Sequence, residues 1–408
     1  MTEVDAYNEA LKSGQYQKPG GLLGKYDNVR RFWEDEQLGL YLRPYLEKLV
    51  DQKKGRGEGL RVLDLGCGSG DGFEFLTSIH KSGAAVSQHD IRVVEPAMLE
   101  HYRGIDINDG LLDQARASYG DMQNMDFLCS DYNDFDYAAE NDCDLYLANY
   151  GTLSHNQDEQ TVDLVASIAR HGENGAIIAI DWLGRYSYEW QTLWTNNLEE
   201  NQWMDYAISY IYADGAKKEQ GLTCFPLRII GRQEVQHIYQ QAKKKAGGAI
   251  ALRKLADRSS FVGRHMDTAQ YNTHAQPLRG LINLLFEPNL CSNLDELLIR
   301  YVPREGFDEV NSYHHRLTMW WNYLILYTRA LLEEKPLPEL PDRVPASVRK
   351  TLNTMKKVVK AAAGVRTGTP RASLVEPQLA YCLRELEMGL QDGLGCGHGL
   401  VAIFEVVK

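Results

Sequence analysis

Residues 61–72 read RVLDLGCGSGDG. Val62, Leu63 and Leu65 supply the apolar positions of a short buried strand, with Asp64 set among them. Gly66, Gly68 and Gly70 follow at every second position, and a helical run opens at Phe73. Glycines so spaced let the backbone turn sharply and approach a ligand closely, at the carboxyl end of a parallel strand. The pattern predicts a strand–loop–helix unit of a doubly wound α/β sheet.

A glycine-rich loop of this kind also describes dinucleotide sites. The acid two residues before the first glycine narrows the reading: D-L-G-C-G-S-G, Asp64 to Gly70, resembles the first motif of class I S-adenosylmethionine-dependent methyltransferases more than a nicotinamide site. The resemblance implies a Rossmann-like, seven-stranded sheet with its last strand antiparallel. It also implies that Asp64, Gly66, Cys67, Gly68 and Gly70 bind S-adenosyl-L-methionine.

The residues downstream extend the resemblance in order. YRGID at 102–106, followed by Asn108, Leu111 and Leu112, fits a second strand, loop and helix, with Asp106 as the acid on the ribose hydroxyls and Ile107 beside it. The gap from Gly70 to Asp106 exceeds the roughly 20 residues usual in such units. Residues 81–100 (with His89, Asp90 and Pro96) therefore read as an extended connection, with a hairpin at 91–94. The alternative puts the second strand at IRVVEP, 91–96, and makes Glu95 the ribose acid. MDFLCSD at 125–131 is the third strand, where the family reads the adenine edge, here with Asp131 and Tyr132; a plain turn-capping acid is the other reading. CDLYLANY at 143–150 is the fourth, apolar enough to be buried on both faces. It places Asn149 at the cofactor, and Tyr150, Ser154 and His155 toward the methyl group or acceptor. GAIIAID at 175–181 is the fifth strand, the sixth falls within 250–262, and GHGLVAIFEVV at 397–407 resembles the terminal antiparallel strand.

Ahead of the first motif lies KYDNVRRFW, 25–33. It is either a helix start burying Phe32 and Trp33, or, as in many small-molecule methyltransferases, a lid whose Tyr26, Arg30 and Arg31 reach the methionine carboxylate. Tyr41, Leu42, Tyr45, Leu46 and Leu49 then recur at helical spacing over 34–51. Residues 186–212 are dense in Tyr and Trp; Trp190, Trp194 and Trp203 read as core packing or as a cation-accepting wall. Helical spacing at 278–285, 294–301 and 317–332 predicts a mostly helical insertion. Residues 344–373, rich in Lys and Arg without an acid up to Ser373, read as a mobile surface linker. The resulting division is an N-terminal helical lid (1–59), a methyltransferase core (60–264), a helical cap (265–395) and the core's final strand (396–408).

Methyl transfer from a sulfonium asks the protein for collinear placement and exclusion of water, and for a general base only when the nucleophile arrives protonated. His155, just past the fourth strand, is the candidate base; its other reading is a loop histidine bonded to backbone. Arg264, Tyr271 and Asn272, with His265 and Asp267, form a polar cluster after the sixth strand, read as a substrate-orienting patch or as ordinary loop polarity. His314 and His315 are adjacent and point about 100° apart on a helix, which does not make a metal site. Asn149 and Tyr150 stand where magnesium-dependent relatives place acids, so no metal is expected.

The totals agree with these readings. The 408 residues are 44% hydrophobic and 25% charged, an ordinary globular composition. The net charge of −12 argues against a nucleic-acid partner. No apolar run reaches the roughly 18 residues of a membrane helix, and MTEVDAYNEALKSG lacks the order of a secretory signal, so a cytoplasmic location is expected. The seven cysteines include no CxxC pair, which excludes a disulfide framework or zinc knuckle by pattern. The expected function is methyl transfer to a small-molecule acceptor. Methylation of RNA or protein, suggested only by the basic stretch, and a non-catalytic cofactor-binding scaffold are the alternatives.

Overall fold

The strand read at 61–65 is β1 (Leu60–Leu65), buried along nearly its whole length. In the computed structural model, which describes residues 3–14, 16, 24–83, 87–89, 91–140, 143–198, 201–208 and 224–408, it lies at the centre of a mixed sheet. β2 (Leu99–Asp106) and β4 (Leu145–Ala148) flank β1 in parallel, β3 (Met125–Cys129) adds beyond β2, and β5 (Ile177–Gly184) adds beyond β4. The chain's last strand, β9 (Gly399–Val406), runs antiparallel to β5 over Ile177–Leu183 and pairs on its other edge with β8 (Ile250–Arg258). The order β3-β2-β1-β4-β5-β9-β8 is the expected seven-stranded, doubly wound sheet with an antiparallel final strand. β5 and β9 are buried at every position, as strands covered on both faces must be.

One addition was not expected. A hairpin of β6 (Trp203–Ala207) and β7 (Cys224–Ile230) extends the sheet, β7 pairing with the end of β5 at Leu183 and Gly184. It sits at the carboxyl edge of the parallel strands, where ligands bind in open α/β sheets.

Helices cover the faces: α2 (Asp35–Arg56), α3 (Asp71–Ser78), α4 (Asp109–Tyr119), α5 (Asp158–His171) and α6 (Arg232–Lys245). Helix α1 (Glu3–Lys12) lies across α4 and β7. Between β8 and β9 come α7 (Leu278–Leu285), α8 (Asp308–Leu332), α9 (Ala346–Ala362) and α10 (Glu376–Leu390). Their buried faces form one cluster that also takes in Val29 and Trp33, and the Trp33 indole donates to Glu387 Oε2 at 3.0 Å.

Three local expectations are corrected and one alternative is set aside. The stretch 344–373 is no mobile linker: 346–362 is helix, because Val348, Leu352 and Met355 make a buried apolar stripe, and the lysines occupy the opposite face. The helix expected at 294–301 is a single 3-10 turn at Leu294–Leu297. Residues 91–94 form no hairpin, only an isolated bridge between His80 and Arg92. The second strand is 99–106, so Glu95 precedes its amino end, away from the ligand edge. Asp90 and part of the aromatic stretch (199–200 and 209–212) lie outside the described residues.

Candidate active site

The loops leaving β1, β2, β3 and β4 converge on a cavity of about 340 Å³, within the size range of small-molecule sites. Gly66 and Gly68 line it with φ of 62° and 54°, the left-handed region that a side chain resists. A Cβ on Gly66 would also stand 2.6 Å from Thr152 Cγ2. The loop is tied down from the next strand: Gly68 N donates to Asp106 Oδ2 at 2.8 Å, and Asn108 N donates to Oδ1 at 2.8 Å. Each carboxylate oxygen thus keeps a lone pair for another donor.

Asp64, Cys67, Asp106, Ile107, Asp131 and Tyr132 line this half of the cavity, as does Asn149. Burial pushes the Asp64 carboxyl up to about 7, although the Tyr102 hydroxyl donates to it at 2.6 Å. Burial also raises Asp106. The side-chain oxygen and nitrogen of Asn149 are both buried with no hydrogen-bond partner among the described residues. Such groups are costly unless a ligand satisfies them.

Residues 24–35 cover the loop. Lys25 Nζ lies 2.6 Å from Asp71 Oδ2, and the Tyr26 hydroxyl donates to Asp71 Oδ1 at 2.7 Å. Burial would raise Asp71, but Lys25 and Arg30 hold it well below the usual carboxylate range; burial brings Lys25 down to about 8. Arg30 lines the cavity with its guanidinium 3.3 Å from the Tyr150 ring centroid and 2.7 Å from Asp35 Oδ1. Tyr150, a non-glycine residue at φ 57°, donates its hydroxyl to Asp35. A strained backbone at such a point is characteristic of ligand sites.

The other half of the cavity is apolar and aromatic: Val4 and Tyr7 of α1, Leu183 at the end of β5, and Tyr206, Ile208 and Leu227 of the hairpin region. His155 opens onto it, stacked on Phe225 at 5.7 Å with its Nε2 3.5 Å from the Tyr7 hydroxyl. Arg264 also lines the cavity, donating to the carbonyl of Lys25 at 2.7 Å.

Several residues read as site residues do not line the cavity. Gly70, at φ 86°, begins α3 against the Tyr119 ring. Tyr26 acts through Asp71. Ser154 is buried, its Oγ accepting from Leu183 N at 3.0 Å. Tyr271 ties the hairpin through Ala207 N and the Asp205 carbonyl, and Asn272 donates to the Tyr188 carbonyl at 2.7 Å. The polar side chains of Ser154, Tyr271 and Asn272 are thus committed to holding the walls. Arg31 is exposed. His314 is buried, its Nε2 3.1 Å from the Tyr186 carbonyl, and His315 is exposed. Trp190 and Trp194 are buried and donate to the carbonyls of Gly184 and Ser187, which makes them packing residues.

Sequence reasoning missed Lys25, Asp71, Arg258 and His398 among the lining residues. Lys25 and Asp71 flank recognised motifs and carried a signal; Arg258 and His398 belong to β8 and to the residue before β9. The amino end of an antiparallel strand lies at the same sheet edge as the carboxyl ends of its parallel neighbours, which is how His398 arrives there.

Residues 25–180 match the family model of the ubiE/COQ5 methyltransferase family. No curated protein matches the chain in sequence. Solved structures that resemble it include an S-adenosylmethionine-dependent methyltransferase from Clostridium acetobutylicum (12% identity over 53% of this chain and 83% of that one, TM-score 0.32). Magnesium protoporphyrin IX methyltransferase from Synechocystis, with bound SAH, gives 12% identity over 64% and 90%, TM-score 0.33. A putative methyltransferase of Haloferax volcanii, in complex with the Trm112 activator, gives 15% over 64% and 81%, TM-score 0.36. Superpositions this loose carry no argument. The matched segment holds the glycine loop and the first four parallel strands, the part of the chain that forms the polar half of the cavity.

Proposed function

We propose that the protein transfers a methyl group from S-adenosylmethionine to a small-molecule acceptor with an apolar or aromatic body. The observation that carries this reading is the two-part cavity, cofactor-type polar groups on one side and an aromatic chamber under α1 and the β6–β7 hairpin on the other. The residues fit the cofactor. Asp106, with a free lone pair on each oxygen, suits the ribose hydroxyls. Ile107, 42% exposed, offers an apolar face for the adenine, with Asp131 and Tyr132 at its edge. Asn149, with its two orphaned atoms, suits the amino-acid end, and Arg30 stands over the same region. When bound, the cofactor supplies a methyl group already activated by the positive charge on sulfur.

The protein's own part is orientation and exclusion of water. We read residues 1–59 as the lid, 60–264 with 396–408 as the core, and 265–395 as a cap that braces the lid. Tyr150 and Arg264 stand on the acceptor side of Arg30, and His155 is an acceptor contact.

Titration calorimetry with S-adenosylmethionine and S-adenosylhomocysteine on the full chain, followed by product detection with candidate acceptors, tests the reading. Binding of both with turnover is the expected result. Binding without turnover on any acceptor favours a scaffold, and no binding by a folded sample overturns the proposal.

A further inference from the structure

The cavity contains a second histidine, and it is held quite differently from His155. His398 Nδ1 lies 2.8 Å from Glu189 Oε1, and both residues are buried. His398 is also among the residues that line the cavity. The Glu189 carboxylate is fixed from several directions. It receives the Ser187 hydroxyl at 3.1 Å on Oε1 and the His265 backbone N–H at 2.5 Å on Oε2. Gly263 makes the space, since a Cβ there would sit 1.9 Å from Oε1. Burial alone would raise Glu189, but His398, with its charge and hydrogen bond, and the His265 contacts hold it below the usual range, so it stays an anion.

A buried carboxylate on one ring nitrogen fixes the tautomer and leaves the other nitrogen as an acceptor. It also stabilises the imidazolium once a proton arrives, the logic of the carboxylate–histidine pair in hydrolytic triads. His155 is stacked on Phe225 with its Nε2 3.5 Å from the Tyr7 hydroxyl, and its charge acts on the Asp106 carboxyl.

We propose that His398 is the general base of the transfer, its Nδ1–H donated to Glu189 and its Nε2 open to the acceptor, and that the acceptor therefore carries an O–H or N–H. This deepens the methyl-transfer reading and rests on it. The acceptor's proton passes to His398 Nε2. The lone pair so freed forms the bond to the methyl carbon, the carbon–sulfur bond breaks with its electrons remaining on sulfur, and S-adenosylhomocysteine leaves neutral. The imidazolium then returns its proton to solvent. Glu189 is a positioning residue. The other groups facing His398 are His265, whose burial brings it down to about 3 and keeps it neutral, and the Asp181–Arg258 ion pair behind Gly399.

Two readouts on the full chain test this. Long-range nitrogen–proton NMR of the histidine rings, with S-adenosylhomocysteine added and His398→Gln as the assignment control, should show His398 in the Nδ1–H form at mildly alkaline pH. Glu189→Gln should shift its tautomer balance. A bare Nδ1, or a balance unmoved in Glu189→Gln, overturns the pair. In the second readout, labelled S-adenosylmethionine is offered with a panel of phenols, alcohols and amines of apolar body. His398→Asn should lower kcat by about 10²–10⁴-fold with the Kd for S-adenosylhomocysteine unchanged, and should remove the acidic limb of the pH profile. Glu189→Gln should shift that limb. Undiminished kcat in His398→Asn, or loss of the limb in His155→Asn instead, overturns the assignment. Turnover by the wild type only on acceptors without an ionisable X–H overturns the substrate class, and so does no turnover on the panel when the cofactor binds. If His398→Asn does not fold, His398→Gln takes its place. If the wild type does not bind S-adenosylhomocysteine, the methyl-transfer reading fails, and the NMR result still decides the pair.

Discussion

Replacing Asp106 with alanine tests the proposed link between the sheet and the cofactor. Asp106 ends β2, and its two oxygens each accept one backbone N–H, from Gly68 and Asn108, at 2.8 Å. The side chain is only partly buried, so the fold should survive. The variant loses a hydrogen bond to a charged acceptor, about 1.5–3 kcal/mol. That corresponds to roughly 10- to 150-fold in Kd for S-adenosylhomocysteine. Because Asp106 also anchors Gly68, which must keep its left-handed conformation for the backbone to approach the ligand, the loss should fall toward the upper end. Calorimetry near neutral pH measures it, with a thermal melt to establish that the variant is folded. The wild type carries a built-in check. Burial raises the Asp106 carboxyl, and the ionised form is the better acceptor, so wild-type affinity should fall as the pH is lowered into the carboxylate range, while the variant's should change less. A folded Asp106→Ala protein with wild-type affinity would refute the reasoning and move the ribose site elsewhere in the cavity.

Two further outcomes concern stability. Arg279→Ala should cost about 3–5 kcal/mol, read from denaturant midpoints. Arg279 is buried between Asp27, at 2.7 Å to both oxygens, and Glu34, at 2.9 Å, and its removal leaves both carboxylates short of a cation; a loss under 1 kcal/mol would show the network to be replaceable. Asp64→Asn should stabilise the protein at neutral pH by an amount on the order of 4 kcal/mol at most, because the folded carboxyl titrates at about 7 against an ordinary 3.8. A carboxyl raised on folding contributes stability below its unfolded value that is lost as the pH rises through the folded one. The difference in melting temperature between variant and wild type should therefore open between about pH 4 and pH 7, and a pH-independent difference would refute it.

Much of the sheet was legible because each strand carries its own signature. LDL before the glycines, the apolar run at 145–148, and the fully buried 177–184 and 399–406 need no partner to be recognised as strands. The position of Asp106 and Asn149 on the cavity wall was legible for the same reason, since both stand at fixed offsets from strand ends. The antiparallel pair of β6 (203–207) and β7 (224–230) was not. Its strands are short, their burial follows from packing on α1 and the end of β5, and its aromatic residues read equally as core. Helix α9 was misread because its charges dominate composition, whereas Val348, Leu352 and Met355 fix its buried face by spacing alone. Ser154, Tyr271 and Asn272 were taken for substrate contacts on sequence position, and position at a strand end does not say whether a polar side chain turns to the ligand or to a neighbouring carbonyl.

The charged groups around the cavity show why the rest lay beyond sequence. Asp27, Glu34, Arg258, Arg264 and Arg279 are all buried. Glu34 faces the three arginines, at 3.4 Å from Arg258, 3.7 Å from Arg264 and 2.9 Å from Arg279. The pairs join positions more than 200 residues apart, so no local pattern announces them. Burying so many charges is not an economical route to stability, since apolar residues of similar volume often do as well. What the network does impose is geometry: a single displaced carboxylate would strand several guanidinium groups. It binds the segment that carries Lys25 and Arg30 to β8 and to α7 of the helical insertion, and thereby fixes the height of that segment above the glycine loop. The insertion thus sets the dimensions of the cofactor cavity without lining it. The insertion, acting through Arg279 and Glu34, closes the open edge above the glycine loop into a chamber.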